Sequence, residues 1–117
     1  AGLVWHDNFP GALAAAQATQ KPLFLDFTGY TCVNCRWMEK SVFAKPEVLE
    51  LFQKKFVLAQ LYTDGGSFQE ANRELQMERF NTLALPFYVV LNSNDQEIRR
   101  HAGIIPDPKD FLIFLEF

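Results

Sequence analysis

The sequence predicts an α/β domain in which a mixed β-sheet is covered by helices on both faces, and three observations point there. Short apolar runs suited to buried strands alternate with segments whose apolar residues recur at helical spacing. The last two strand-like runs are separated only by the polar turn Asn92-Ser93-Asn94-Asp95, the pattern of an antiparallel hairpin. The chain has 117 residues, enough for one packed core and too few for a second domain.

Each element follows from local signals. Residues Pro10 to Thr19 are rich in Ala with apolar neighbours and read as a helix, ended by Lys21-Pro22. Leu23-Phe24-Leu25-Asp26-Phe27 reads as a buried strand and Gly29-Tyr30 as a turn. From Val33 to Phe43 the apolar residues 33, 37, 38 and 42 have the spacing of one helix face, which places Cys32 at a helix N-terminus. Pro46 opens a further helix to about Gln53, and Phe56 to Tyr62 reads as a second buried strand. After the turn Asp64-Gly65-Gly66, Ser67 and Glu70 have capping-box spacing, so the next helix is expected from about Ser67 to Phe80. Phe87 to Leu91 and Glu97 to Ala102 form the hairpin strands, and Gly103 closes it. Asp107 before Pro108 announces a last helix whose Phe111, Leu112, Phe114 and Leu115 can cover the sheet. The order is α, β, α, α, β, α, β, β, α: strands separated by helices are expected to be parallel, and the hairpin adds antiparallel neighbours.

Composition narrows the function. Nearly half the residues are apolar and twelve are phenylalanine, so neither disorder nor a fibrous class fits. The net charge is -3 with acids scattered among Lys and Arg, which leaves no positive stripe for nucleic acid. No apolar run approaches the roughly 20 residues that cross a bilayer, and the first residues do not form a basic segment followed by an apolar one. A membrane tether or export signal is therefore expected outside these residues. No Gly-rich phosphate loop, nucleophile elbow or His–Glu metal motif is present, and no cofactor is expected.

The two cysteines, Cys32 and Cys35, are separated by Val33-Asn34. A two-residue loop removes little entropy from the unfolded chain, so the pair points to chemistry rather than stapling. A cysteine attacks a disulfide as the thiolate, and a helix N-terminus favours that anion. Cys32 is then the nucleophile, and Cys35, one turn later, resolves the mixed disulfide. Half of a zinc site is the first alternative, but zinc wants four ligands, and His6 and His101 lie far off with no ligand spacing. An inert pair of buried thiols is the second.

Two carboxylates belong to the same reading. Asp26 interrupts a strand otherwise fit for burial on both faces; burial raises its pKa and suits it to exchange a proton with Cys35, whereas a solvated strand end would leave it ordinary. Glu39 falls four residues after Cys35 and seven after Cys32 on the same helical face, where its charge would oppose a thiolate. The other reading of Glu39 is a surface residue paired with Lys40 or Arg36. Pro86 begins a strand at the boundary position where proline is tolerated.

From Asp26 through Glu39, with the pair Cys32-Val33-Asn34-Cys35 at its centre, the sequence resembles the thioredoxin superfamily. With Ser41-Val42-Phe43 and Pro46-Glu47-Val48 included, it is most similar to the C-terminal periplasmic domains of bacterial thiol:disulfide interchange proteins of the DsbD family, over nearly the whole chain. The resemblance implies a thioredoxin fold, nucleophilic Cys32, resolving Cys35, Asp26 and Glu39 as tuners of thiol acidity, and a cis Leu85–Pro86 peptide facing the cysteines. It also implies that Tyr30, Thr31, Val33, Asn34, Leu85 and Pro86 contact the partner, in part by strand addition. Such domains take electrons from a transmembrane domain and pass them to periplasmic acceptor domains, so the chain is expected to be a monomeric piece of a longer protein at the periplasmic face of the inner membrane. Thr31 replaces the tryptophan usual before the first cysteine, and Asn34 replaces the proline of thioredoxin or the small residue of other relatives. Both bear on redox potential. A disulfide reductase is the leading expectation; an oxidase or isomerase, and a peptide-binding module without catalysis, are the alternatives.

Overall fold

The computed structural model describes residues 2–117. It holds a five-stranded sheet of order β1-β3-β2-β4-β5, with β1 at Trp5–His6, β2 at Leu23–Thr28, β3 at Val57–Tyr62, β4 at Phe87–Leu91 and β5 at Glu97–Ala102. Strands β1 and β2 run parallel to β3, and β4 runs antiparallel to both β2 and β5. The expected mixed sheet is therefore present, with one strand more than the sequence pattern indicates. Two residues carry no alternation, so β1 has no readable signal; pairing with Leu58 and Ala59 makes it a strand.

Five helices cover the sheet: α1 Phe9–Thr19, α2 Val33–Met38, α3 Pro46–Lys55, α4 Gln69–Phe80 and α5 Pro108–Leu115. Side-chain alternation along β2 divides the core. Leu23, Leu25 and Phe27 pack with Ala12 and Ala16 of α1 and Phe80 of α4. Phe24, on the other face, packs with Met38, Phe52 and Phe111 from α2, α3 and α5. Helices thus lie on both faces. Phe24 is fully buried, stacks on Tyr88 at 5.5 Å between centroids, and meets Phe52 at 5.1 Å and Phe111 at 5.9 Å. Packed rings of this kind contribute beyond the area they bury.

Two local expectations need correction. The helix expected from Val33 to Phe43 changes pitch: α2 is α-helical to Met38, and Glu39–Phe43 continue as a π-helical turn. The wider turn lets Met38, Val42 and Phe43 all enter the same aromatic core, which a regular α-helix does poorly for residues five apart. The Ser67–Glu70 capping box does not form. Gly66 at φ +86° and the turn that follows delay the start of α4 to Gln69, and Phe68 occupies the N-cap without a side-chain hydrogen bond. Helix α1 ends at Thr19 as expected, and its C-cap Gln20 takes the left-handed conformation at φ 56° just before Lys21-Pro22.

Candidate active site at the start of helix α2

Strand β2 ends at Thr28, and the chain turns through Gly29, Tyr30 and Thr31 before Cys32 caps α2. The Cys32 N–H donates to the Gly29 carbonyl at 3.2 Å and the Arg36 N–H to the Cys32 carbonyl at 3.1 Å, which closes the first helical turn. Cys32 and Cys35 form a disulfide, with their Cα atoms 5.2 Å apart. The Cys35 N–H also donates to Cys32 Sγ at 3.2 Å. The two sulfurs differ in access: Cys32 is half-buried, and Cys35 is only 2% exposed. An incoming group meets Cys32 first.

Asp26 lies on the face of β2 that α2 covers, two residues beyond Phe24, and is 2% exposed. The sheet register sets Gln60 of β3 on one side of it and Tyr88 of β4 on the other. Burial pushes its pKa up to about 7 and the nearby charge of Glu39 adds to the rise, while the Gln60 hydrogen bond and Arg36 act the other way. Gln60 Nε2 donates to Asp26 Oδ2 at 3.3 Å, and Asp26 Oδ1 has no protein partner. The fate of Tyr88 follows from the same neighbours: burial first, then the charges of Asp26 and Glu39, raise its pKa.

Glu39 makes the expected surface pair with Arg36 and a second contact with Gln60. Its Oε2 accepts from Arg36 at 2.7 Å, the helix-surface pair, and also from Gln60 Nε2 at 3.3 Å. Gln60 therefore joins the two carboxylates, a link the sequence reading does not contain. Glu39 and Gln60 both line an open cleft of about 290 Å³ beside Trp5 and Phe43, so this network reaches solvent away from Cys32. A larger cleft of about 400 Å³, between the N-terminal segment and α3, holds none of these groups. Arg36 also donates to Thr28 Oγ1 at 3.0 Å and lies over the Tyr62 ring at 5.5 Å.

The remaining sequence candidates lie in the turn before Cys32, between the two cysteines and in the loop before β4. Val33 is 79% exposed, and Thr31 and Asn34 are exposed beside it. Tyr30 is exposed and stacks on Tyr62, with centroids 4.0 Å apart. The Leu85–Pro86 peptide is cis. Leu85 Cδ1 lies against Gly29, where a Cβ would come within 3.2 Å of it, so this loop borders the turn that leads into Cys32. The Pro86 carbonyl accepts from the Gly103 N–H at 2.8 Å, which ties the loop to the end of β5. His6 lies in β1 and His101 in β5, the two opposite edges of the sheet, and His101 Nε2 sits 3.2 Å from the Ile104 carbonyl.

A half-buried sulfur at a helix start, bonded to a buried one in the first turn of that helix, defines a thiol–disulfide oxidoreductase domain of thioredoxin architecture. The relatives agree. A thioredoxin-like family model matches residues 4–93, and the chain belongs to that family. Thiol:disulfide interchange protein DsbD 2 of Pseudomonas aeruginosa is 37% identical over 87 residues, 74% of this chain and 14% of that protein. The DsbD of Cronobacter sakazakii is 32% identical over 85 residues, 73% of this chain and 14% of that protein. The chain thus spans about one seventh of these curated relatives. Among solved structures, a thioredoxin from Thermus thermophilus superposes with a TM-score of 0.79 at 29% identity, over 98% of this chain and 85% of that one. The C-terminal domain of Neisseria meningitidis DsbD in its reduced form gives 0.72 at 17% identity, over 91% and 90%, a likeness of fold.

Proposed function

We propose that the chain is a protein-disulfide reductase domain that takes electrons from a membrane-embedded partner domain and delivers them to disulfides of periplasmic proteins, as the similarity to DsbD proteins suggests. The observation that carries this reading is the asymmetry of the Cys32–Cys35 disulfide, one sulfur accessible and the other buried on the Asp26 side of α2.

In the reduced domain, the Cys32 thiolate attacks a partner disulfide; one partner sulfur leaves as thiolate and the other is held to Cys32. Cys35 then loses its proton to the Asp26 carboxylate and attacks Cys32 Sγ, which releases the second partner thiolate and restores the disulfide. A pKa of about 7 lets Asp26 both accept and return a proton near neutrality. Val33, Tyr30 and the Leu85–Pro86 loop supply the surface against which the partner segment lies. The electron donor reverses these steps.

Substitution tests this directly. Cys32→Ser abolishes reduction of insulin disulfides, and Cys35→Ser accumulates a mixed disulfide visible on a non-reducing gel; unchanged turnover in either variant overturns the assignment. A glutathione titration separates a reductase from an oxidase or isomerase, since a potential of about -120 to -180 mV marks the latter and a reductase lies well below.

A further inference from the structure

The turn before Cys32 is held by a residue outside the dithiol and its carboxylate network. Beyond the last paired residues, Thr28 and Tyr62, the Thr63 N–H donates to the Thr28 carbonyl at 3.1 Å and carries the β2–β3 pairing one step further. Asp64 follows, opposite the Gly29–Thr31 turn. Its Oδ1 accepts from the Tyr30 N–H at 2.9 Å, and its Oδ2 accepts from the Thr31 N–H at 3.4 Å and the Thr31 hydroxyl at 3.5 Å. These donors hold the Asp64 carboxyl below its ordinary range, so the charged form makes the bonds at neutral pH.

The packing around this contact depends on two glycines. A Cβ on Gly29 would sit 2.9 Å from Asp64 Oδ2, and a Cβ on Gly65 would sit 2.9 Å from the Tyr30 ring. Two glycines, 36 positions apart in the chain, thus admit the close approach of Asp64 and Tyr30, and Tyr62 stacks on that ring. On its far side the clamped turn bonds to the reactive residue itself, through the Gly29 carbonyl and the Cys32 N–H.

We infer that Asp64 is a positioning residue for the dithiol: by fixing the Tyr30–Thr31 backbone it holds Cys32 where its sulfur meets that of Cys35, and so favours the closed disulfide over the open dithiol. The physical ground is pre-organisation. A turn already ordered in the reduced protein loses less conformational freedom when the ring closes, so the effective concentration of one thiol at the other is higher. The inference rests on disulfide chemistry at Cys32 and Cys35 and on nothing about the direction of electron flow.

The test equilibrates the wild-type chain, Asp64→Ala and Asp64→Asn with reduced and oxidised glutathione. In this exchange one oxidised glutathione takes two electrons and two protons from the dithiol, giving the protein disulfide and two reduced glutathione molecules. The fraction oxidised is read by thiol alkylation and mass. Loss of the clamp in Asp64→Ala lowers the equilibrium constant for disulfide formation on the order of fivefold to thirtyfold, a range set by the entropy of ordering about one residue. Asp64→Asn, whose amide oxygen accepts from only one backbone donor, lowers it by a smaller factor. Denaturation of both redox forms completes the cycle: the oxidised form loses more stability than the reduced one.

An unchanged constant in both variants, with the two redox forms destabilised equally, makes Asp64 a strut of the fold and overturns the inference. Should Asp64→Ala not fold, Asp64→Asn decides by the same criterion. A wild-type chain that does not reduce insulin would refute the reductase reading and leave the glutathione equilibrium measurable, so the two failures are distinct.

Discussion

Phe24 and Asp26 are neighbours on one face of one strand, yet their surroundings are opposite. Phe24 is enclosed by rings from β4, α3 and α5. Asp26, two residues on, meets the amide of Gln60 on one oxygen and has no protein partner on the other. The difference shows how a small domain separates stability from reactivity: the aromatic end of the strand anchors the sheet to three helices, which allows the other end to keep a buried carboxylate that destabilises the fold. In the proposed mechanism this carboxyl group exchanges a proton with Cys35.

The comparison can be broken most severely at its stable end. Phe24→Ala removes the ring about which Phe43, Phe52, Tyr88 and Phe111 pack, at 5.1 to 6.1 Å, and costs about 3–5 kcal/mol by denaturant unfolding. Against a typical domain stability of roughly 5–15 kcal/mol this leaves little margin.

The reactive end gives the opposite sign. The folded pKa of Asp26 is about 7, raised from 3.8, so the native state binds its proton more tightly than the unfolded chain. Stability therefore falls as pH rises from about 4 to about 7, by roughly 4 kcal/mol in all, and the penalty is fully present above the folded pKa. Asp26→Asn removes the charge and flattens that slope, so the variant is more stable than wild type at pH 8 and no more stable at pH 4. It also slows resolution by Cys35 on the order of a hundredfold at pH 7, read as persistence of the mixed disulfide. A variant that loses stability at pH 8 would show that Asp26 is a structural partner.

Gln60 sharpens the contrast with a smaller effect. Gln60→Leu removes the hydrogen bond that lowers the Asp26 pKa, so the carboxyl titrates above its wild-type value in a carboxyl-carbon NMR titration. The stability change is about 1 kcal/mol, the scale of one hydrogen bond.

How legible this was in the sequence depends on whether a feature is local or made by pairing. The cysteine pair, the helix that starts at it, and Asp26 inside an apolar run all announce themselves within a few residues, and the structure has them in those settings. Gln60 was visible only as a polar residue in an otherwise buried strand; its meaning needs the parallel register that sets it opposite Asp26. Asp64 before two glycines read as an ordinary turn residue, because its partners Tyr30 and Thr31 lie 34 and 33 positions earlier. The strand at Trp5–His6 and the π-helical turn after Met38 escaped for related reasons, one made by its neighbour and the other by the core it fills. The Ser67 capping pattern misled, since the glycine turn before it moves the helix start.

The central claim is that Cys32 and Cys35 hold different places in one reaction, the first half-exposed and open to attack and the second buried. Alkylation of the reduced protein with iodoacetamide across pH 5 to 9, with each modified cysteine assigned by mass, measures this directly. The account predicts modification confined to Cys32, with Cys35 protected across the range. Equal modification of both thiols, or earlier reaction at Cys35, would contradict it.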